Sequence, residues 1–346
     1  MTQVSARLAS LSPSATLAMS QKSSELKAQG VDVINLSVGE PDFNTPEPIK
    51  DAAKKAIDEN YSRYSPVAGY PALRNAIVAK LKNENGLEYT ANQISCANGA
   101  KQSVCNTIMV LVNPGDEVII PAPFWVSYPE MVKLAEGTPV IVAAGIEQDF
   151  KITPAQLETA ITPKTKALIL CSPSNPTGSV YSAEELAGLA EVLKKHPEII
   201  VIADEIYEHI NYIGKHNSIA QIDGMKDRTV IVKRCFQSLC HDRMAYRFHC
   251  RTGMDRKGSK QIAGTIYFRT MLRIPESGRS CLHRFTSTGR RNAPGIRTPP
   301  QLDCRLSERD SGIRSKSAGR SFLPVPQNVA ITLAKIRRYT HDRECR

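Results

Sequence analysis

The sequence lacks the features that mark several classes of protein. No run of 18 apolar residues is present, so no segment is predicted to span a membrane. The N-terminus does not combine a basic start, a long apolar block and a cleavage site, so we expect no signal peptide and a cytoplasmic location. The nine cysteines show no C-x-x-C spacing and no paired Cys/His cluster, which predicts neither a metal site nor disulfides.

Charge is divided unevenly along the 346 residues, which suffice for one large domain or two smaller ones. The overall net charge of +11 alone would suggest a nucleic-acid or membrane partner. Residues 1–232, however, hold 20 Lys+Arg and 26 Asp+Glu, whereas residues 233–346 hold 25 and 8. The Arg:Lys ratio changes from 4:16 to 20:5 at the same point. We therefore predict an N-terminal arm (1–30), a folded domain (31–232) and a basic, Arg-rich tail (233–346).

Strand-like and helix-like segments alternate through the folded domain. The apolar runs DEVIIPAP, TKALILCSP and EIIVIADE are typical of buried strands, so we predict an α/β fold with a mostly parallel sheet covered by helices on both faces. We also expect one amphipathic helix in the arm and a short strand in VDVINLSVGEPDF. Thr45 is the predicted N-cap of a helix with Pro46 at its first position. Ser182 and Glu185 form a predicted capping box.

Four segments fall at the C-terminal ends of predicted strands, where open α/β sheets bind ligands. Asn98–Lys101 opens a helix, and a glycine there favours an anion such as phosphate, although an ordinary turn has the same sequence. Trp125 can stack on a planar ligand or simply belong to the core. The amide of Asn175, in SNPTG, either faces a ligand or lies in a plain turn.

Asp204 ends the apolar run EIIVIA, and Tyr207 follows it by three residues. A buried carboxylate needs a partner, and a cationic ring nitrogen would serve; a helix cap is the alternative interpretation. Taken together, a phosphate cradle, a stacking ring, an amide and a carboxylate predict a phosphorylated, planar, nitrogen-containing cofactor. Pyridoxal 5'-phosphate fits that description.

Five segments resemble the class I aminotransferases of pyridoxal-phosphate fold type I, particularly the bacterial aspartate aminotransferases. The resemblance covers about residues 5–232 and is carried by INLSVGEPDF, RYSPVAGYPALR, PFWVSYPEM, CSPSNPTG and VIADEIYE.

The resemblance implies a role for each matching residue. Asp204 would pair with the pyridine nitrogen and Tyr207 with the ring hydroxyl. Asn175 would contact that hydroxyl and the substrate carboxylate, and Trp125 would stack on the ring and border the substrate. Backbone groups would hold the phosphate, and Gly39 would lie against the substrate carboxylate; the phosphate set is Gly99, Ala100 and Lys101. Tyr64 would reach the phosphate of a neighbouring subunit, which implies a homodimer.

The catalytic lysine of the family is missing. In relatives a lysine that forms the Schiff base with the cofactor follows the ADEIYE strand, in a stretch like NG-x-SK-x-x-x-MTGWR-x-G. This chain instead reads KRCFQSLCHDRMAYRFHCRTG after Val232, and Gln237 occupies the lysine's expected position. The resemblance therefore assigns a cofactor site but no catalytic residue, and we expect the chain as printed to be inactive.

A frameshift explains both the missing lysine and the change in composition. Permitted codons for residues 233–250, read from their second base, give NGVSKAYAMTGWRIGFI, which matches the missing family segment. We hypothesise that one base was inserted, or two were lost, near the codon of Lys233. On this interpretation the tail is not native sequence, and we expect it to be disordered or poorly packed.

The expected activity is transfer of an amino group between aspartate, or a similar amino acid, and 2-oxoglutarate. Action on aromatic amino acids, alanine or prephenate stays open, because the residues that select the substrate lie in the lost part. Two other classes are alternatives: a non-catalytic protein that binds pyridoxal phosphate, and a basic nucleic-acid-binding protein. The tail shows no recognisable nucleic-acid-binding motif, so we expect no nucleic-acid partner.

Overall fold

The computed structural model describes residues 4–35, 39, 44–61, 64–234 and 247–250, the last four by backbone alone. Eight α-helices lie in these ranges: α1 Ala6–Ala9, α2 Ala15–Ala28, α3 Glu47–Asp58, α4 Pro71–Asn85, α5 Ala100–Leu111, α6 Ser127–Leu134, α7 Pro154–Ala160 and α8 Ala183–Lys194. They surround seven strands: β1 Ile94–Ala97, β2 Glu117–Ala122, β3 Thr138–Ala143, β4 Thr165–Cys171, β5 Ile200–Asp204, β6 Thr229–Arg234 and β7 Arg247–Cys250.

The strands form one sheet in the order β1-β7-β6-β5-β4-β2-β3. Strands β2 to β6 pair in parallel, and β7 is antiparallel to both of its neighbours. The predicted mostly parallel α/β fold is confirmed. Because β2 to β6 run in the same direction, their C-terminal ends meet at one edge, where ligands bind in such folds.

Alternate residues of each strand enter cores on opposite faces of the sheet. Ile202 of β5 packs in the core formed with α5 and α6, whereas its neighbour Val201 packs in the core formed with α7 and α8. A third cluster joins α4 to the sheet through Leu73, Ile77 and Leu81. This alternation decides which residues at the strand ends face the same side.

Several predicted boundaries differ from the structure. The arm contains two helices, not one, and Val31–Asn35 form no strand. The N-cap of α3 is Pro46 and not Thr45, because Pro46 keeps an extended backbone (φ −56°, ψ 141°) and the helix begins one residue later. The capping box of Ser182 and Glu185 is confirmed, with the Glu185 N–H donating to Ser182 Oγ at 3.1 Å.

The segment predicted to be a non-native tail lies mostly outside the described residues, as does Gln237. Two parts of this segment are described, and both are β-strand. Strand β6 continues to Arg234, two residues past the predicted boundary, and Arg247–Cys250 form β7 between β1 and β6. The expectation of poor packing for the tail as a whole stays a prediction. Within the described ranges no helix is long and apolar enough to cross a membrane.

Candidate active site

A pocket of about 390 Å³ lies at the edge where the parallel strands end. Its lining combines residues from the N-terminus of α5, the start of α6, the ends of β4, β5 and β6, and the SNPTG turn. The lining residues are Asn98, Ala100, Lys101, Trp125, Tyr128, Cys171, Asn175, Asp204, Ile206, Tyr207 and Arg234. Six of the residues predicted from the sequence are therefore brought together: Ala100, Lys101, Trp125, Asn175, Asp204 and Tyr207.

Gly99 forms the turn into α5 that the sequence predicts as a phosphate cradle. Its backbone angles, φ 98° and ψ 145°, lie in a region that glycine adopts readily and other residues adopt only with strain. Gly99 is the N-cap of α5, a helix of 12 residues whose N-terminus has no side-chain cap, and Ala100 and Lys101 of its first turn line the pocket. The N–H donors of this turn and the helix dipole favour an anion at this end of the pocket.

Trp125 forms a wall of the pocket. The Nζ of Lys101 lies 5.0 Å from the centroid of its ring, a cation–π contact. Trp125 also meets Tyr128 edge-on, with ring centroids 5.4 Å apart and planes at 90°. The indole is held by these two contacts and lines the pocket.

Asp204 is 1% exposed at the end of β5. The hydroxyl of Tyr128 donates a hydrogen bond to its Oδ2 at 2.6 Å, and the backbone N–H of Ile206 lies 3.4 Å from its Oδ1. Burial, and then the negative charge of Asp204, raise the pKa of Tyr128 well above its ordinary value, so the phenol stays a donor. The segment after Asp204 forms turns and not a helix, so the alternative role of helix cap is not what the structure shows.

The SNPTG segment forms a tight turn in which the N–H of Gly178 donates to the carbonyl of Ser174 at 2.9 Å. The side-chain amide of Asn175 lies 3.4 Å from the hydroxyl of Tyr207. The two groups predicted to share a ring hydroxyl are thus adjacent. Gly39 and Tyr64 are both exposed and are not among the described residues that line the pocket; Tyr64 is 74% exposed.

Sequence reasoning missed four lining residues: Tyr128, Cys171, Ile206 and Arg234. Tyr128 follows Trp125 by three residues, a spacing that places two side chains on one helical face. Cys171 is the last residue of β4, and burial together with nearby Asp204 raises the pKa of its thiol to about 12. The pocket therefore offers an inert thiol and not a nucleophile.

A second group of charges, the charge cluster, lies behind the pocket and is buried. Lys233 is 1% exposed, and its Nζ lies 2.7 Å from Glu205 Oε2 and 2.6 Å from Glu208 Oε2. Glu205 also receives a hydrogen bond from Ser218 Oγ at 2.5 Å and contacts His216 Nε2 at 2.9 Å.

The remaining members of the charge cluster belong to α4. Lys80 forms an ion pair with Glu208, and the amide of Asn85 donates to Glu208 Oε2 at 2.8 Å. Burial opposes ionisation of Glu205, but Lys233 and His216 outweigh it and lower the pKa of Glu205 to about 2. The pKa of Glu208 is also well below its ordinary value because Lys233 and Lys80 outweigh its burial. The cluster thus ties α4 to the end of β6 while directing Lys233 away from the pocket lining.

The pocket residues fit pyridoxal phosphate. A buried carboxylate held by Tyr128, a helix N-terminus opened by a glycine with positive φ, and an indole that lines the same pocket match the ring nitrogen, phosphate and ring of that cofactor. These are observations on the side chains and backbone of this chain, independent of any relative.

Comparison with known proteins gives a consistent result. The family model "Aminotransferase class I and II" matches residues 31–236. An aspartate/prephenate aminotransferase of Cereibacter sphaeroides is 52% identical over 235 residues, 67% of this chain and 59% of that protein. An aspartate aminotransferase of Geobacillus stearothermophilus is 54% identical over 229 residues, 65% of this chain and 58% of that protein.

Among solved structures, the aspartate aminotransferase of Thermus thermophilus with maleate superposes with a TM-score of 0.84 at 34% identity, covering 93% of this chain and 84% of that one. The alignments to curated relatives span only about half to three-fifths of those proteins' length. The family match itself covers more than half of the present chain. The chain belongs to the class I and II aminotransferases, with the fold type I architecture.

Proposed function

We propose that the intact protein is an aminotransferase that moves an amino group between aspartate, or a similar amino acid, and 2-oxoglutarate. The observation that carries the proposal is the convergence of Asp204, Trp125, Asn175 and the N-terminus of α5 on one pocket. The family depends on pyridoxal phosphate, and relatives named as aspartate and aspartate/prephenate aminotransferases support this substrate class.

The predicted site residues of the pocket hold different parts of the cofactor. The N–H groups of Gly99, Ala100 and Lys101 bind the phosphate, and Trp125 covers the ring. Asp204, fixed by Tyr128, keeps a proton on the ring nitrogen, so that the bound cofactor supplies an electron sink for the amino acid's alpha carbon. In a further contact, the paired Asn175 and Tyr207 bind the ring hydroxyl.

The proposal extends to assembly and location. Tyr64, exposed in the single chain, would contact the phosphate bound by a second copy, so two copies form a dimer with shared sites. Sedimentation of the product of the gene with its reading frame restored, with and without Tyr64→Phe, tests this: we expect a dimer in both, with weaker cofactor binding in the variant. A monomeric wild type would contradict it. We place the protein in the cytoplasm, which subcellular fractionation checks.

We further propose that the chain after Val232 is a frameshifted product and that the printed chain is inactive. Three observations support this: the change in charge after residue 232, Gln237 at the expected lysine position, and a family match that ends at residue 236. Resequencing the DNA around codon 233 tests the frameshift directly. A nucleotide sequence that cannot be read as NGVSKAYAMTGWRIGFI in another frame would rule it out.

Activity is tested with two proteins, the printed chain and the product of the same gene with its frame restored. We expect only the frame-restored protein to convert aspartate and 2-oxoglutarate to oxaloacetate and glutamate. Parallel assays with phenylalanine, alanine and prephenate decide among the alternative substrates. Borohydride reduction with pyridoxal phosphate, followed by peptide mass spectrometry, should label a specific lysine only in the frame-restored protein; specific labelling and turnover by the printed chain would refute its inactivity.

A further inference from the structure

Arg234 lines the pocket although no sequence motif marks it. It is the last residue of β6 and is 8% exposed. A guanidinium remains charged at any pH at which the protein is folded, so the pocket carries a fixed positive charge from this strand.

Strand register places Arg234 on the same side of the sheet as Asp204. Asp204 is paired with Val232, and Arg234 lies two residues further along β6, so its side chain returns to the face on which Val232 packs. That face is the one covered by α5, because Val232 shares a core cluster with Ala100 and Val104 of that helix.

The same register brings Arg234 level with the start of α5. Arg234 is paired with Arg247 of β7, and Arg247 is paired with Ala97, the last residue of β1. Two strand spacings, roughly 10 Å, therefore separate the backbone of Arg234 from that of Ala97. Gly99 follows Ala97 by two residues, so the long arginine side chain and the N-terminus of α5 border the same end of the pocket.

The pocket lining carries charges of both signs. Lys101, Arg234 and the N-terminus of α5 supply positive charge, and among the described lining residues Asp204 alone is acidic. A ligand with an anionic phosphate at one end and a basic ring nitrogen at the other is complementary to this arrangement. Arginine binds phosphate oxygens through two parallel N–H donors, which makes it suited to the anionic end.

We propose that Arg234 binds the phosphate of a pyridoxal-type phosphate ester together with the N-terminus of α5. The inference rests on the proposed cofactor site and concerns the printed chain, in which the end of β6 supplies this binding residue. It also implies that the printed chain holds such esters through ionic contacts and without a covalent bond.

Pyridoxamine 5'-phosphate is a suitable probe because it carries the ring and the phosphate but no aldehyde. Trp125 is the single tryptophan of the chain and borders the pocket, so its fluorescence reports binding. Titrations of the full chain use pyridoxamine 5'-phosphate, pyridoxamine, inorganic phosphate and 2-oxoglutarate. The variants are Arg234→Gln, Arg234→Lys and the control Arg7→Gln, which removes an exposed arginine of the arm.

We expect Arg234→Gln to weaken binding of pyridoxamine 5'-phosphate about tenfold or more, Arg234→Lys to weaken it less, and Arg7→Gln to leave it unchanged. Pyridoxamine, which lacks the phosphate, should bind the parent and Arg234→Gln equally weakly. Far-UV circular dichroism of each variant distinguishes lost binding from lost folding. If Arg234→Gln does not fold, the comparison of binding affinities uses Arg234→Lys instead.

Three results would overturn the proposal, and the first two are unchanged affinity of Arg234→Gln for pyridoxamine 5'-phosphate and an equal loss for pyridoxamine. A loss confined to 2-oxoglutarate would assign Arg234 to a substrate carboxylate and also overturn it. If the parent binds inorganic phosphate through Arg234 but does not bind pyridoxamine 5'-phosphate, the cofactor assignment fails while the anion site stands. Unchanged affinity of Arg234→Gln in a parent that binds the ester leaves the proposed function intact and refutes only this inference.

Discussion

Replacing Lys233 by methionine is expected to destabilise the protein strongly. The Nζ of Lys233 lies within 2.7 Å of two carboxylates, and the side chains of both glutamates are 4% exposed. Methionine fills similar space but leaves both negative charges without their shared cation. Lys80 and His216 compensate part of the loss, one for each carboxylate.

The size of the effect follows from the cost of leaving a buried charge without its partner. Removing one member of a buried ion pair typically costs about 3–5 kcal/mol. Lys195→Met is the matched control, because Lys195 pairs with Glu158 at 3.1 Å while their side chains are 64% and 43% exposed. Such an exposed pair contributes about 1 kcal/mol or less.

Urea unfolding, followed by circular dichroism at neutral pH, measures both variants against the parent chain. We expect a loss of about 3–5 kcal/mol in the free energy of unfolding for Lys233→Met. A triple variant that also carries Glu205→Gln and Glu208→Gln should recover part of that loss, because it removes the charges that were left uncompensated. A loss for Lys233→Met no larger than that for Lys195→Met would refute the reasoning.

Three other perturbations test the remaining structure. In the folded protein the pKa of Glu205 is about 2, and that of Glu208 is also well below the ordinary value of 4.5. The two ionised carboxylates therefore stabilise the fold above pH 4.5, and this stabilisation should be lost as the pH falls toward 2. Measuring the free energy of unfolding as a function of pH tests this. Tyr128→Phe removes the hydrogen-bond donor to buried Asp204 and should lower the free energy of unfolding in urea by about 1–3 kcal/mol. The control is Tyr61→Phe, because the ring of Tyr61 packs edge-on at a half-buried site; it should change stability by under about 0.5 kcal/mol. Gly99→Ala forces a side chain into backbone geometry with positive φ at the phosphate turn, which should cost about 1–3 kcal/mol and weaken binding of pyridoxamine 5'-phosphate; unchanged affinity by tryptophan fluorescence would contradict the phosphate assignment.

Local patterns predicted the part of the fold that depends on local interactions. The apolar runs of β2, β4 and β5 and the capping box of α8 involve neighbours in sequence, and each is found where it was expected. The errors lie where a local signal is weak. Helix α3 begins one residue later than the Thr45-Pro46 pair predicts, with no side-chain cap, and Val31–Asn35 carry β-branched residues without forming a strand.

The candidate site was predictable in its motifs but not in its supporting residues. Asp204, Asn175 and Trp125 stand at strand ends and form recognisable segments. The hydroxyl of Tyr128 reaches Asp204 across 76 positions of sequence, and no short-range pattern reports such a contact. Arg234 enters the pocket because β6 lies beside β5, and that neighbour relation depends on the order of strands in the sheet.

The last two residues of β6 point to opposite faces of the sheet, and this has a consequence for repair of the gene. On the alternative reading frame, asparagine and glycine replace Lys233 and Arg234 together. One base edit would therefore remove a cation from the charge cluster and another from the pocket, while it restores the missing lysine. In the repaired protein, other residues would have to balance the charge cluster and bind the phosphate. The printed chain therefore differs from the repaired protein by more than the absence of the catalytic lysine.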